Sequence, residues 1–175
     1  KLPAMGNLTI GASYKDAGAG VSENADETVL AGSYEFTSGD ITGTFAVASN
    51  SIGGATAGAG STNSSSMGLT VVSGSFTAIV AQAEDDQSTS ITTEVNDYGL
   101  SFTVDDNLTL AVTGTEVTES SGAETLDITS VSAKFTITNG LHAYFTYHDY
   151  DYGAGTSGAT SDDGSATLVS LEATF

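Results

Sequence analysis

Cysteine, arginine and tryptophan are absent from this 175-residue chain, proline occurs once, and the only cations are Lys1, Lys15 and Lys134. Without cysteine there is no disulfide framework, no thiolate nucleophile and no cysteine-held zinc or iron–sulfur site. Three lysines stand against 22 Asp and Glu, for a net charge of −19, so nothing could neutralise a phosphate backbone and nucleic acid is excluded as a partner. The same balance excludes a basic patch for docking on an anionic membrane surface. No run approaches the roughly 20 apolar residues of a spanning helix. Lys1-Leu2-Pro3 has no apolar stretch of the kind that forms a secretory leader, so the chain reads as mature or as a fragment.

What is present is periodic. Thr, Ser, Val and Gly dominate, no stretch carries a helical period, and apolar residues recur at every second position. This pattern predicts ten strands, at about 7–15, 28–37, 41–50, 66–72, 75–83, a sixth that ends at 104 and contains YGLSFTV, 107–117, 126–137, 141–149 and 165–175. The connections after even-numbered strands are tight (SGD, SG, DD, TNG) and carry the Gly, Asn and Asp of short hairpins. Those after odd-numbered strands are long, acidic and rich in Gly, Ser, Thr and Ala, as in DAGAGVSENADE and YDYGAGTSGATSDDGS. Short turns at one end and long loops at the other define an antiparallel up-and-down meander, which a Greek-key sandwich would not keep so regularly.

Each strand has two faces. One carries residues such as Leu8, Ile10, Ala12 and Tyr14, or Leu141, Ala143, Phe145 and Tyr147; the other carries Thr, Ser, Gly and Ala. The apolar strips run seven to ten residues, near the span a tilted strand needs to cross a bilayer. Phe36, Phe76, Phe102, Phe135 and Phe175 lie close to the short turns, where an interfacial aromatic girdle would sit, and Tyr147 joins them as a candidate anchor. The acidic residues fall mostly in the long connections. The expected fold is therefore all-β, an antiparallel up-and-down transmembrane β-barrel.

The closing TLVSLEATF, with a terminal Phe and apolar residues at alternate positions before it, and hairpins such as YEFTSGDITGTFAV and YGLSFTVDDNLTLAV resemble a Gram-negative outer-membrane porin, specifically its C-terminal region. Ala173 departs from that pattern, since many porins carry an aromatic there. The resemblance implies passive diffusion of small hydrophilic solutes and ions, a cell outer membrane location, contact with outer-membrane lipid and lipopolysaccharide, a homotrimer, and a terminal strand read by the barrel-insertion machinery. It also implies about sixteen strands and a constriction lined by Arg and Lys, whereas this chain shows ten strands and no Arg. Ten strands would enclose a narrow lumen at best. Residues 1–175 thus form either one small barrel or the C-terminal ten strands of a larger one, and the turn-like opening PAMGN favours the second.

On the polar face, Lys15, Glu35, Lys134, His142, Tyr144 and Glu172 are the candidate pore-lining residues. They act either as fixed charges that tune ion selectivity or as pairs, Lys15–Glu35 and Lys134–Glu172, that satisfy one another. Few lumen cations and an acidic mouth predict cation preference. Asp85 and Asp86 in EDDQS, Asp149 and Asp151 in YHDYDYG, and Asp162 and Asp163 in SDDGS are weak metal candidates, since no spacing matches a calcium-binding loop. No cofactor is expected beyond Ca²⁺ held loosely by acidic loops. His142 and His148 fall near many serines, but there is no nucleophile elbow or phosphate loop, so no enzyme is expected. The competing class is a secreted or surface-layer β-protein whose acidic loops bind Ca²⁺.

Overall fold

The computed structural model describes residues 7–16, 26–53, 62–87, 91–120, 124–155 and 160–174. They form ten strands: β1 Leu8–Lys15, β2 Glu27–Ser38, β3 Ile41–Ile52, β4 Thr62–Ser73, β5 Phe76–Gln87, β6 Ile91–Thr103, β7 Leu108–Glu119, β8 Glu124–Thr138, β9 Leu141–Gly153 and β10 Asp162–Ala173. They pair only with their sequence neighbours, all antiparallel, in one sheet ordered β1 to β10. Among the described residues β1 and β10 are edges, each paired on one side.

The short turns have local causes. Gly39, Gly74 and Gly140 sit in the two-residue connections of β2–β3, β4–β5 and β8–β9 with φ of 63°, 57° and 79°, a left-handed backbone that glycine takes without steric cost. The β6–β7 turn is closed instead by Asp105, whose Oδ1 accepts the N–H groups of Asn107 and Leu108 at 2.7 and 2.9 Å.

The register shows a steady stagger. One cross-strand row runs Thr9, Ser33, Ala46, Gly68, Ala81, Asp97, Thr115, Ile128, Tyr150, Gly164. It starts at the short-turn end of β1 and finishes at the long-connection end of β10. Strands perpendicular to such a climbing row are tilted, which is the geometry that curls a sheet into a barrel.

The strands outrun the sequence-based boundaries. β6 begins at Ile91, β5 continues to Gln87, β9 to Gly153, and β10 starts at Asp162. EDDQ and DYDYG are thus strand, not loop, and most acidic residues assigned above to connections stand on strands. Phe175 lies outside the described residues.

The described residues form no ordinary core. Among the described residues the one buried apolar side chain is Ala154, 4% exposed, and no polar or charged residue is buried. The large apolar groups are outside: Ile10 is 75% exposed, Val169 and Leu171 70%. Along β8 and β9, Ser130, Ser132, Thr136, Thr146 and His148 are half-buried while Val131, Phe135, Phe145 and Tyr147 are exposed. The polar face is therefore the concave one, and the apolar face is left uncovered by this sheet.

Candidate functional site

The convex face divides into two zones. Next to the short turns lies an apolar belt, for example Ile41, Phe45 and Val47 on β3, Leu108, Leu110 and Val112 on β7, and Val131, Ala133 and Phe135 on β8. Beyond it the same face turns polar within one or two positions: Ser49 and Ser51 on β3, Gln82, Glu84 and Asp86 on β5, Asn96, Glu94 and Thr92 on β6, Asp149 and Asp151 on β9. Hydrogen bonds knit this collar. Glu94 Oε1 accepts from Gln82 Nε2 at 2.8 Å and Asn96 Nδ2 at 2.9 Å, and these bonds, Asn96 first, hold its carboxyl below the usual range. Thr92 Oγ1 donates to Asp86 Oδ1 at 2.6 Å, and Ser51 Oγ to Asn63 Oδ1 at 2.7 Å.

Aromatic residues mark both rims of the belt. Phe76 and Phe102, opposite each other on β5 and β6, pack with ring centroids 4.6 Å apart beside the short turns, and Phe36 and Phe135 stand at the same end. Tyr147 is at the other rim, where Tyr14 and Tyr98 also lie. Phenylalanine thus dominates the short-turn rim, where Tyr34 stacks on Phe36 with centroids 6.4 Å apart, and tyrosine, with its polar tip, the collar rim. Tyr14 and Tyr98 were not singled out from the sequence, although each stands at the end of an apolar strip next to a charged residue, Lys15 and Asp97. Tyr98 covers Gly114 on β7: a Cβ there would lie 2.1 Å from the ring.

On the concave face the register gathers Lys15, Glu35, Lys134, His142, Tyr144 and Glu172. Lys15 and Glu35 do not pair. Lys15 faces Glu27 at the long-connection end, whereas Glu35 accompanies Asn7 at the short-turn end. Eight strand positions, about 27 Å, separate them. Lys134 and Glu172 do meet, but through a third residue. The Lys134 ammonium lies 5.7 Å from the Tyr144 ring centroid, and the Tyr144 hydroxyl donates to Glu172 Oε2 at 2.5 Å. His142 Nδ1 contacts Thr136 Oγ1 at 3.1 Å beside them.

The same face carries carboxylates that the sequence reading passed over: Glu27, Asp97, Glu119 and Glu124, besides Asp85 and Asp162. Glu35 and Glu172 complete the set, against Lys15 and Lys134. Asp97, midway along β6, accepts from Thr115 Oγ1 at 2.6 Å. Above the belt the concave face also takes Val95, Val117, Leu126 and Ile128, and lower down Ile79 and Leu168, so it is less uniformly small and hydroxylic than expected. Tyr150 and Tyr152 stand on this face beyond the belt. The charge of Asp162 raises the Tyr150 phenol, and desolvation followed by the charge of Glu124 raises that of Tyr152.

The aspartate pairs do not form chelates. Asp85 and Asp86 are consecutive strand residues on opposite faces, as are Asp162 and Asp163, and Asp149 and Asp151 are convex. Among the described residues no group of three or more His, Asp or Glu is placed to hold a metal ion. Ser130 Oγ and His148 Nδ1 are 2.7 Å apart, and the residues opposite His148 in register are Ser130 on one side and Ala166 on the other.

No family model matches the chain, and no curated protein matches it in sequence. Among solved structures it is similar to the anion-selective porin from Comamonas acidovorans, with a TM-score of 0.66 and 13% identity over 99% of this chain. The chain spans 57% of the length of that porin. The fold is thus a porin-type, antiparallel up-and-down β-barrel wall, with an apolar convex belt and a polar concave lining.

Proposed function

We propose that the chain forms part of an outer-membrane porin, a channel for passive diffusion of small hydrophilic solutes and ions, with preference for cations. The observation that carries this is the pairing of two faces on one sheet: a convex apolar belt, and a concave lining with eight named carboxylates against two ammonium groups. Size exclusion by the lumen and attraction by its fixed charges would supply the selection. The solved porin it resembles is described as anion-selective. At 13% identity the two share a backbone, and the sign of the lumen charge belongs to this chain's own residues.

Closure requires partners for the free edges of β1 and β10, because unpaired backbone groups are not tolerated in hydrocarbon. We assign that role to further strands of a larger barrel of about sixteen, which would leave an aqueous lumen. Outer-membrane lipid and lipopolysaccharide would surround the belt and collar, three copies would associate, and the last strand would be read during barrel insertion. No catalytic role and no cofactor is assigned. A secreted surface protein would leave Leu8, Ile10, Val169 and Leu171 in water, which disfavours that class.

Liposome swelling tests the proposal. Vesicles holding the protein should swell in small sugars and amino acids, with rates that fall steeply with solute size. Rates no faster than those of empty vesicles would overturn it.

A further inference from the structure

β9 places Tyr144, Tyr150 and Tyr152 on the concave face, and the hydroxyls of Tyr144 and Tyr150 are tied to carboxylates on the neighbouring strand β10. Tyr144 donates to Glu172 at 2.5 Å and Tyr150 to Asp162 at 3.4 Å, while Tyr152 stands in the field of Glu124 on β8. A tyrosine held by its tip to the next strand lies along the wall rather than pointing into the lumen. For Tyr150 this is direct: a Cβ on Gly164 would come within 2.8–2.9 Å of the Tyr150 Oη, Cε1 and Cζ atoms. The ring lies over that glycine, with one face on the wall and the other toward the lumen.

A ring face carries the negative part of the aromatic quadrupole, and donation of the phenol proton toward a carboxylate enriches it further. Beside each ring stands a carboxylate able to accept N–H bonds. Face plus carboxylate is the recognition chemistry of an organic cation, and the protein already uses it once, with the Lys134 ammonium 5.7 Å from the Tyr144 centroid. A neutral sugar would find the hydroxyl tips already engaged.

We propose that the lumen face of β9 is a binding track for organic cations, alkylammonium or guanidinium solutes, seated on the tyrosine faces beside Glu172, Asp162 and Glu124. Tyr150 and Tyr152 are about 7 Å apart and Tyr144 about 20 Å farther down the strand, so successive sites lie along the permeation path. The track rests on the channel reading for access, but its binding chemistry does not.

The test uses the full chain in planar bilayers in NaCl, with tetramethylammonium chloride added to one side and glucose as the neutral control. Tetramethylammonium should block the current reversibly and glucose should not. Tyr150→Leu should raise the half-blocking concentration about threefold, and Tyr144→Leu, whose ring Lys134 already covers, by less. Lys134→Met should lower it, by freeing the Tyr144 face, and should lose that effect in the Tyr144→Leu background, which separates ring release from the loss of a lumen charge. Isothermal calorimetry in detergent micelles repeats the titrations without a pore, and a heat-modifiable gel shift verifies that each variant folds. Equal block by glucose, or an unchanged half-blocking concentration in a variant carrying both Tyr144→Leu and Tyr150→Leu, overturns the track. Tyrosine-dependent heat without current would overturn the channel reading and leave the track standing. Current without tyrosine-dependent block or heat would do the reverse.

Discussion

The Tyr144 hydroxyl on β9 donates a hydrogen bond to Glu172 on β10 across 2.5 Å, so the carboxylate is fixed on the concave wall near the short-turn end. A fixed lumen charge attracts cations until salt screens it. Glu172→Gln should lower the cation-to-anion permeability ratio by about twofold at 0.1 M salt and by little at 1 M, where the Debye length falls to about 3 Å. Tyr144→Phe keeps the charge and should keep the ratio. Single-channel recordings at the two salt concentrations check this.

Val112 and Thr113 are neighbours on β7 with opposite surroundings, belt and lumen. Arginine at Val112 should destabilise the folded protein by about 2–4 kcal/mol in liposomes, the cost of a cation near the bilayer midplane. Arginine at Thr113 should cost far less. Urea unfolding in vesicles distinguishes the two, and equal penalties would mean the convex face is not in lipid.

Glu116, Asp127, Asp151 and Asp163 follow one another across β7 to β10 in a single row of the convex collar. Like charges directly opposite one another destabilise a sheet. Asp127→Asn, in the middle of the row, should stabilise by about 0.5–1 kcal/mol at low salt, with the gain shrinking as salt rises. The thermal midpoint of the gel shift across a salt series measures it.

Tyr150 and Tyr152 hold raised phenol pKa values, through the charge of Asp162 in the first and desolvation with Glu124 in the second. A raised acid pKa favours the neutral form in the folded state. The stability it contributes is therefore complete below the unfolded tyrosine value of about 10 and is lost as pH rises through the folded one. Ultraviolet titration should show a late-ionising phenolate component that shrinks in Tyr150→Phe.

The meander, both faces and the tight turns were legible in the sequence, because Gly39, Gly74 and Gly140 punctuate clean apolar alternation. The upper halves of the strands were not. In β6 the convex positions Thr92, Glu94 and Asn96 are polar while concave Val95 is apolar, so the alternation inverts where the strand leaves the belt. A hydropathy period read along the chain stops at that inversion, and Ile91–Asp97 looked like loop. The missed lumen carboxylates Glu27, Asp97, Glu119 and Glu124 stand in these upper halves or at their lower edge. The Lys15–Glu35 pair failed for a different reason. Register across a long connection sets which residues meet, and nothing in either strand alone encodes it.

The reversal potential across a planar bilayer under a tenfold salt gradient tests the central claim most directly, because it needs both a pore and a sign of charge. A wall lined by Glu27, Glu35, Asp85, Asp97, Glu119, Glu124, Asp162 and Glu172 against Lys15 and Lys134 should give a potential of the cation-selective sign. An anion-selective potential, or no conductance from correctly inserted protein, would contradict it.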